Sequence, residues 1–380
     1  MRAPFQKRCS MSAPLDSVLA VAQVEQALGA WRDPYLDKTL QESGALAGVE
    51  VDGDSVRVQV VFGYPVAGIA VDLRSALTAL LAPIVGQRAV QIEVSWNVPP
   101  HKAQARIPHV AGIRNIVAVA SGKGGVGKST TAVNLALALS LEGARVGLLD
   151  ADIYGPSQGV MLGVPNGQRP QIRDGKLFVP IKVHGIESMS MGFLVDENTP
   201  MVWRGPMVSS ALQQMLTQTD WSELDYLIID MPPGTGDIQL TLSQKVPVSG
   251  AVIVTTPQDI ALLDAIKGIE MFRKVEIPVL GIIENMSVHI CSQCGHVEHL
   301  FGAGGGERIA RDFDTRLLGA LPLTMQIREQ SDSGRPTVVA DPDGPIAQIY
   351  RNIARLLAAR LSEQAQAQAR GGPIILVQDD

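Results

Sequence analysis

Apolar and polar residues follow two different patterns in the first hundred residues of the chain. Apolar side chains recur at helical spacing from Val18 to Leu28 and stop before Pro34, which predicts a helix. The segment GVEVDGDSVRVQVVF has alternating runs on either side of a DGD turn, a pattern typical of a β-hairpin. A second helical stretch and the alternating run AVQIEVSW follow. This order of helix, hairpin, helix and strand predicts a small α+β domain over residues 15–98.

A different pattern begins after residues 99–112, where prolines and a polar composition predict a linker. Apolar runs of strand length then alternate with helical segments, and these runs are NIVAVA, ARVGLLD, DYLIID, GAVIVTT and PVLGIIEN. Continuous apolar runs are typical of parallel strands that are buried on both faces of a sheet. We therefore expect a doubly wound α/β domain with a mainly parallel sheet over residues 113–364. Residues 365–380 are expected to form a flexible tail.

Composition and charge argue against two classes of binding partner, nucleic acids and membranes. The net charge is −6 and the pI about 5.6, and basic residues are not clustered, which argues against nucleic acid as a partner. Apolar runs stay well short of the roughly 20 residues that span a bilayer, so no membrane partner is expected. Three cysteines cannot build a disulfide framework. The cytoplasm is the expected location.

A phosphate-binding loop follows the first of the strand-like runs. Gly122–Ser129, GKGGVGKS, satisfies the pattern G-x-x-x-x-G-K-[ST] and leads into a helical stretch. Glycines let backbone amides converge on phosphate oxygens, the motif lysine adds a positive charge, and the serine hydroxyl can ligate Mg²⁺. We therefore expect ATP and Mg²⁺ to bind here. The expected binding residues are Gly122, Lys123, Gly124, Gly125, Val126, Gly127, Lys128, Ser129 and Thr130.

Carboxylates stand at the ends of two other predicted strands. Asp230 ends DYLIID, from where it can reach Mg²⁺ directly or through water, and the glycine-rich loop behind it, with Gly234, can contact the γ-phosphate. Asp150 and Asp152 close the strand ARVGLLD, so one can contact the metal while the other orients water for hydrolysis. Either aspartate could instead cap the next turn. Lys128 and Asp152 are the candidate catalytic residues.

Lys123 is one lysine more than a phosphate-binding loop requires. The segment SGKGGVGKST resembles the deviant phosphate loop of the MinD, ParA and nitrogenase iron-protein class of ATPases, in which such an extra lysine occurs. The resemblance implies that Lys123 contributes to catalysis by binding the ATP phosphates of a partner subunit in a homodimer. Independently, two lysines this close repel each other unless additional negative charge compensates both.

Cys291 and Cys294 form a CxxC pair, ICSQC, far downstream of the phosphate-binding loop. Two thiolates are half of a tetrahedral zinc site or half of a four-cysteine cluster site. The second half could come from the same pair of a symmetric partner, or from His296 and His299 of the same chain as a zinc site. A redox pair or an inert pair is the remaining alternative.

A closer resemblance connects the two sites. The segments DADIYGPS, MVWRGPM, DYLIIDMPPGTGD, VTTPQDIAL, ENMS and CSQCG occur in the order typical of the Mrp/ApbC branch, ATPases that carry iron-sulfur clusters. Residues 15–98 are also similar to the small iron-sulfur assembly domain that often precedes this ATPase. The resemblance implies that Asn285 contacts adenine and that Pro257 and Asp259 line the dimer side of the site. Trp203 and Arg204 match a family signature without an assigned role.

The expected function follows from this combination. The resemblance implies an ATPase that holds a [4Fe-4S] cluster between the Cys291 and Cys294 pairs of two subunits and transfers it to apo iron-sulfur proteins. A spatial regulator like MinD or ParA is the alternative from another class, and it would require a basic surface or an amphipathic anchor. A P-loop ATPase that binds zinc at the cysteine pair is the third candidate.

Overall fold

The computed structural model describes residues 15–101, 108–153, 155–194, 205–291 and 293–370. The chain folds as two compact units. The first consists of the chain up to Phe62 together with Ile69–Asn97, and the second of Gly63–Gly68 together with the chain from Val98 onwards. The short segment between Phe62 and Ile69 therefore groups with the second unit, an excursion that the sequence did not predict.

The first unit is a three-stranded sheet with helices. Its elements are α1 (Leu15–Gly29), α2 (Leu40–Ser43), β1 (Leu46–Asp52), β2 (Ser55–Phe62), α3 (Ala70–Val85) and β3 (Ala89–Trp96). β1 and β2 form the predicted hairpin around the DGD turn, and β3 pairs with β2 in parallel. The sequence analysis missed α2, a single turn held by a reciprocal capping box between Thr39 and Glu42.

Helix α3 and the short turn before it, residues 67–85, are long and apolar enough to cross a membrane by length and composition. Its apolar side chains Leu73, Leu77 and Leu81 are buried, and the helix packs on α1 and β3. The opposite side exposes polar residues such as Asp72 and Arg74. A packing helix of the small unit accounts for this stretch.

The second unit contains an eight-stranded sheet in the order β15-β12-β11-β4-β10-β5-β9-β8. These strands are β4 (Ile116–Ala120), β5 (Val146–Asp150), β8 (Ile181–Val183), β9 (Ile186–Ser190), β10 (Tyr226–Asp230), β11 (Gly250–Thr255), β12 (Val279–Glu284) and β15 (Leu317–Ala320). All neighbours pair in parallel except β8, an antiparallel edge strand. Two small hairpins lie outside this sheet, β6 (Gln171–Arg173) with β7 (Leu177–Val179), and β13 (His289–Ile290) with β14 (Val297–Glu298).

Helices connect these strands. They are α4 (Lys128–Leu141), α5 (Gln158–Met161), α6 (Gly205–Thr217), α7 (Asp237–Lys245), α8 (Asp259–Lys274), α9 (Gly305–Asp312), α10 (Met325–Asp332), α11 (Thr337–Ala340) and α12 (Pro345–Arg370). This is the predicted doubly wound α/β class, and the apolar runs form strands that are buried on both faces, as expected.

The strand order indicates where on the sheet the nucleotide site lies. β4 lies in the centre, with β10 on one side and β11 on the other, and β5 lies beyond β10. The chain thus moves to opposite sides of β4, and ligands bind at such a switch point, beyond the carboxyl ends of the strands. The loops after β4, β5 and β10, which hold the predicted phosphate and magnesium residues, meet at this edge.

Two boundary regions differ from the sequence expectation. Helix α12 extends to Arg370, six residues past the predicted end of the domain at 364, because the repeated alanine and glutamine residues there favour helix. At the predicted linker, the Arg114 guanidinium donates to the Val98 carbonyl at 2.8 Å and the Asn115 amide donates to the Pro99 carbonyl at 3.1 Å. The first residues of that segment are therefore fixed to the second unit, and residues 102–107 lie outside the described part.

Candidate functional site

The phosphate-binding loop has the backbone conformation that its glycines predict. Gly125 and Gly127 have φ angles of 81° and 83°, a left-handed conformation that side chains with a Cβ rarely adopt. Gly124 and Gly125 are exposed, and a Cβ built on either of them would have open space around it. The loop thus forms an open backbone cradle that ends at the N-terminus of α4, where backbone amides and the helix dipole favour an anion.

Two other glycines are required by close approaches. A Cβ on Gly122 would lie 2.2 Å from the backbone carbonyl of Asp264 on α8. A Cβ on Gly127 would lie 2.1 Å from the side-chain nitrogen of Asn285, which instead donates a hydrogen bond of 2.9 Å to the Val126 carbonyl. The loop is therefore braced by helix α8 and by the residue that follows β12.

Lys128 and Asp230 form a buried ion pair. The Lys128 ammonium lies 2.5 Å from Oδ1 of Asp230 and 3.2 Å from the Ser129 hydroxyl, and both charged side chains are almost fully buried. The predicted phosphate-binding lysine thus contacts both predicted magnesium residues, Ser129 and Asp230. A charge that is buried in this way is stable only with a partner or a ligand.

Asp150 organises the loop that follows β5. Its carboxylate accepts hydrogen bonds from the backbone amides of Asp152, Ser157 and Gln158 at 3.0 to 3.1 Å, and from the Ser190 hydroxyl at 3.1 Å. Burial, and then the neighbouring charge of Asp230, raise the pKa of Asp150 to about 7. The sequence allowed two roles for Asp150, a contact with the metal or a cap on the next turn. These hydrogen bonds are those of a cap on the turn.

Asp152 is held next to this turn by its own backbone amide, which donates to Asp150. Its side chain is half-buried at the carboxyl edge of the sheet. Gly234, in the loop after β10, donates its amide to the Ser121 carbonyl at 3.0 Å, and the Ser121 hydroxyl donates to the Lys123 carbonyl at 2.9 Å. The loop after β10 is therefore connected to the phosphate-binding loop.

Lys123 differs from Lys128 in its surroundings. Its side chain is half-buried and, within the described residues, its ammonium makes no ion pair or hydrogen bond. The two lysines of the loop therefore differ electrostatically, since Asp230 neutralises Lys128 and no carboxylate of the described residues pairs with Lys123.

Gln158 is a site residue that sequence reasoning missed. It is fully buried at the start of α5, and its amide nitrogen donates to Oδ2 of Asp230 at 2.8 Å and to the Ser129 carbonyl at 3.0 Å. No periodic pattern distinguishes this residue in the sequence. The available signal was its position in a loop directly after a buried strand, at the edge where ligands bind. Ser190 was missed because β9 was not predicted.

The cysteine pair lies at the tip of the small hairpin formed by β13 and β14. The Cys291 amide donates to the His296 carbonyl and the Gly295 amide to the Cys291 carbonyl, each at 2.9 Å, and Gly295 has a φ of 71°. Cys291 is half-buried and Cys294 is exposed. The backbone amide of Cys294, followed by that of Gln293, lowers the pKa of Cys291, which favours the thiolate that binds metals.

His296 and His299 are not arranged with the cysteines as a four-ligand site. The His296 imidazole is exposed and lies 3.7 Å from the Glu298 carboxylate. Across the described residues, no three histidine, cysteine or acidic side chains are placed to hold one metal ion. The described part of a single chain therefore offers two thiols at the hairpin, which is half of a four-ligand metal site.

Apolar side chains are exposed around this hairpin and on α8. Ile290, Val297 and Leu300 are exposed beside the cysteines, and Ile260 and Leu263 are exposed on the first turns of α8. α9, which follows the hairpin in the chain, packs against α8. Asp259 is also exposed and lies 3.4 Å from the Arg308 guanidinium. Trp203 and Arg204 lie outside the described residues.

The nucleotide site fits a magnesium-bound triphosphate. Two fully buried carboxyl groups, Asp150 and Asp230, lie beside one buried lysine, and a bound divalent cation would favour their ionised forms. Ser129 and Asp230 supply the oxygen donors that Mg²⁺ prefers, and the Oε1 atom of Gln158 is buried with no described partner. The loop glycines leave room for the phosphates.

Comparison with known proteins agrees with this geometry. The family described as NUBPL iron-transfer P-loop NTPase matches residues 112–358, and the family described as iron-sulfur cluster assembly protein matches residues 21–94. An iron-sulfur cluster carrier protein of Escherichia coli strain K12 is 52% identical over 91% of this chain and 93% of its own length. Another, from Pseudomonas fragi, is 68% identical over 73% of this chain and 97% of its own length.

A solved structure shares the fold of the second unit. The nucleotide-binding protein of Archaeoglobus fulgidus in complex with ADP is 36% identical, with a TM-score of 0.54, and the match covers 62% of this chain and 92% of that one. The family match spans most of the chain, and the relatives match over nearly their whole length. This chain therefore belongs to the family of NUBPL iron-transfer P-loop NTPases.

Proposed function

We propose that this protein is an ATP-hydrolysing carrier of iron-sulfur clusters. Two copies of the chain hold one [4Fe-4S] cluster between them and deliver it to apo-proteins, in the cytoplasm, where thiols stay reduced. The names of the relatives, iron-sulfur cluster carrier proteins, support the cargo. The observation that carries the proposal is the joint presence of a braced phosphate-binding loop and an exposed, incomplete cysteine pair on one unit.

The nucleotide half of the function rests on the loop at the carboxyl edge of the sheet. Residues 122–130 hold the phosphates with backbone amides, and Lys128 adds its charge when it exchanges Asp230 for phosphate oxygens. Ser129 and Asp230 would hold Mg²⁺, which would supply positive charge next to the phosphates. Because Asp230 accepts from Lys128 and Gln158 together, the loop and the strand end are aligned before ATP arrives.

Hydrolysis requires a group that orients water. Asp152 is our candidate, because its backbone is fixed by Asp150 and its half-buried carboxylate lies at the ligand edge. Lys123 is the second candidate for catalysis. The Lys123 ammonium, which has no ion-pair partner among the described residues, would stabilise phosphate charge across a dimer interface. The negative charge of bound ATP would also reduce the repulsion between Lys123 and Lys128.

The cargo half of the function rests on the hairpin thiols. A [4Fe-4S] cluster takes four cysteine ligands, and one chain offers Cys291 and Cys294. A two-fold axis through the hairpin brings the same pair from a second copy and completes the set. Because Cys294 is exposed, an acceptor protein can reach this side of the site, which favours release of the cargo.

The exposed apolar side chains suggest where the two copies meet. Ile290 and Val297 flank the cysteines, and Ile260 and Leu263 expose a further apolar surface on α8. Apolar side chains grouped on a surface mark contact sites more often than isolated ones do. We propose that these residues, with Pro257 and Asp259 at their edge, form the homodimer interface.

Asn285 offers a physical connection between the two halves. Its amide holds the Val126 carbonyl in the phosphate-binding loop, and the chain reaches Cys291 six residues later. A change in the loop on ATP hydrolysis therefore acts on the base of the cysteine hairpin. An adenine contact by Asn285 remains a prediction from family resemblance.

Cluster transfer measured with and without ATP tests this function. The anaerobically reconstituted protein is mixed with an apo-protein that gains activity only with a [4Fe-4S] cluster, and we expect ATP to change the transfer rate. Lys128→Ala should load cluster normally but lose the ATP effect. If transfer from wild-type protein and Lys128→Ala were identical with ATP present, the ATPase would have no part in carriage.

A further inference from the structure

Gln158 stands where three parts of the nucleotide site meet. Its side-chain nitrogen contacts Asp230 at the end of β10 and the Ser129 carbonyl at the start of α4. Its backbone amide donates to Asp150 at the end of β5. The residue is fully buried, so these contacts are not a consequence of a mobile surface side chain.

The nitrogen and the oxygen of the Gln158 side-chain amide differ in their hydrogen bonding. The orientation is fixed, because the nitrogen must face Asp230 and the Ser129 carbonyl, and an oxygen there would face two acceptors. The Oε1 atom is buried and has no hydrogen-bond partner within the described part of the chain. A buried carbonyl without a donor is costly, which points to a donor that arrives with a ligand.

The position of Oε1 indicates which donor that is. Amide geometry keeps Oε1 within about 5 Å of Oδ2 of Asp230 and of the Ser129 carbonyl, because it shares one carbon with the nitrogen that touches both. Ser129 and Asp230 are the residues that fit Mg²⁺. Mg²⁺ binds its ligands at about 2.1 Å and usually keeps several waters, whose hydrogens point outwards.

We propose that Gln158 is a positioning residue for Mg²⁺ that acts through both ends of its amide. The nitrogen holds the Asp230 carboxylate in place, and Oε1 accepts a hydrogen bond from a water in the hydration shell of the ion. Outer-shell partners of this kind orient ligands and tune affinity. The inference rests on the nucleotide half of the proposed function and does not depend on the cysteine cargo.

Two substitutions separate the acceptor from the donor. Gln158→Met keeps the length of the side chain and removes both hydrogen-bonding atoms. Gln158→Glu keeps an oxygen that accepts from water in either protonation state. Calorimetric titration of each full-length variant with ADP, at a series of Mg²⁺ concentrations, gives the Mg²⁺ concentration for half-maximal enhancement of ADP binding.

We expect Gln158→Met to raise that Mg²⁺ concentration by more than about fivefold, because it removes both the acceptor for the water and the donor to Asp230. Gln158→Glu keeps the acceptor, so its loss should stay below about fivefold, the effect of one hydrogen bond. Each variant decides the matter alone if the other fails to fold. An unchanged Mg²⁺ requirement in Gln158→Met, or a loss of more than about fivefold in Gln158→Glu, would overturn the proposal.

Gln364→Met is the matched control. Gln364, on α12, also has an Oε1 atom without a described partner, but it lies outside the nucleotide site. Its Mg²⁺ requirement should equal that of wild type, and a comparable rise there would contradict the inference. Wild-type protein that binds no ADP would instead refute the nucleotide half of the proposed function.

Discussion

The ammonium of Lys128 lies 2.5 Å from Oδ1 of Asp230, so the lysine that is suited to bind phosphate is neutralised by the carboxylate that is suited to bind magnesium. Both groups are buried, and Asp150 adds a second buried carboxyl beside them. Removing one partner would leave the other charge buried without compensation, which is costly. Such a change should therefore affect both stability and chemistry.

Lys128→Ala should lower the free energy of unfolding by about 3 kcal/mol, because Asp230 would stay buried without its cation. It should also lower the rate of ATP hydrolysis at least about 100-fold, since the phosphate charge loses its partner. Denaturant unfolding without nucleotide and a phosphate-release assay measure the two effects.

Lys123→Ala is the matched control for stability, because this lysine makes no ion pair within the described residues. Its unfolding free energy should stay within about 0.5 kcal/mol of wild type. A loss as large as that of Lys128→Ala would mean that the pairing with Asp230 is not what stabilises the loop.

Mixing two inactive variants tests whether Lys123 acts across the dimer. Lys123→Ala should hydrolyse ATP slowly on its own, as should Lys128→Ala. In a mixed dimer, one site receives its own Lys128 and the partner's intact Lys123, so it is complete. If subunits exchange at random, half of the dimers are mixed and each has one working site, so roughly a quarter of the wild-type rate should return.

No recovery on mixing, with subunit exchange shown independently by mass spectrometry, would exclude a role for Lys123 in the partner's site. Lys128→Ala and Asp230→Asn each damage the nucleotide site of the subunit that carries them, so both sites of their mixed dimer are defective. No recovery is expected in that mixture. That mixture is the control for nonspecific rescue.

The raised pKa of Asp150 predicts a pH dependence of stability. The folded protein holds the Asp150 proton up to about pH 7, whereas the unfolded chain releases it near the ordinary aspartate pKa of 3.8. The folded state therefore binds more protons between these values, and this group makes stability fall as pH rises through the window. Unfolding of wild type and Asp150→Asn between about pH 5 and about pH 8 should give a steeper fall for wild type. Equal slopes would contradict the assignment.

Cys294→Ala should remove the visible absorption of the reconstituted cluster and reduce bound iron at least about tenfold, because the shared site loses two of four thiolates. ADP affinity should change by less than about twofold, since the phosphate-binding loop is untouched. His296→Ala and His299→Ala should keep the cluster. Loss of metal from the histidine variants, with zinc in place of iron, would favour the zinc alternative instead.

Part of this site can be predicted from local sequence motifs. Other parts depend on contacts between distant segments of the chain, which the sequence pattern does not specify. The phosphate-binding loop was predicted because strand, loop and helix are adjacent and the glycines encode its conformation. Asp150 and Asp230 were predicted because carboxyl ends of parallel strands share one edge. The contacts of Gln158 with Asp230 and of Asn285 with Val126 were not, because they join segments 72 and 159 residues apart.

The fold shows the same division. The strands that form the buried centre of the sheet have continuous apolar runs and were predicted. β9 was missed because IESMS carries glutamate and serine within a buried strand, where Glu187 is satisfied by Ser222 and Ser190 by Asp150. Tertiary partners of this kind override the local pattern.

Native mass spectrometry of the anaerobically purified protein, combined with iron and sulfide analysis, tests the central claim most directly. We predict a species with the mass of two chains plus one [4Fe-4S] unit, about four iron and four sulfide per dimer, and loss of both cluster and dimer mass when the cluster is removed by a chelator. A monomer that retains a complete cluster would contradict the account.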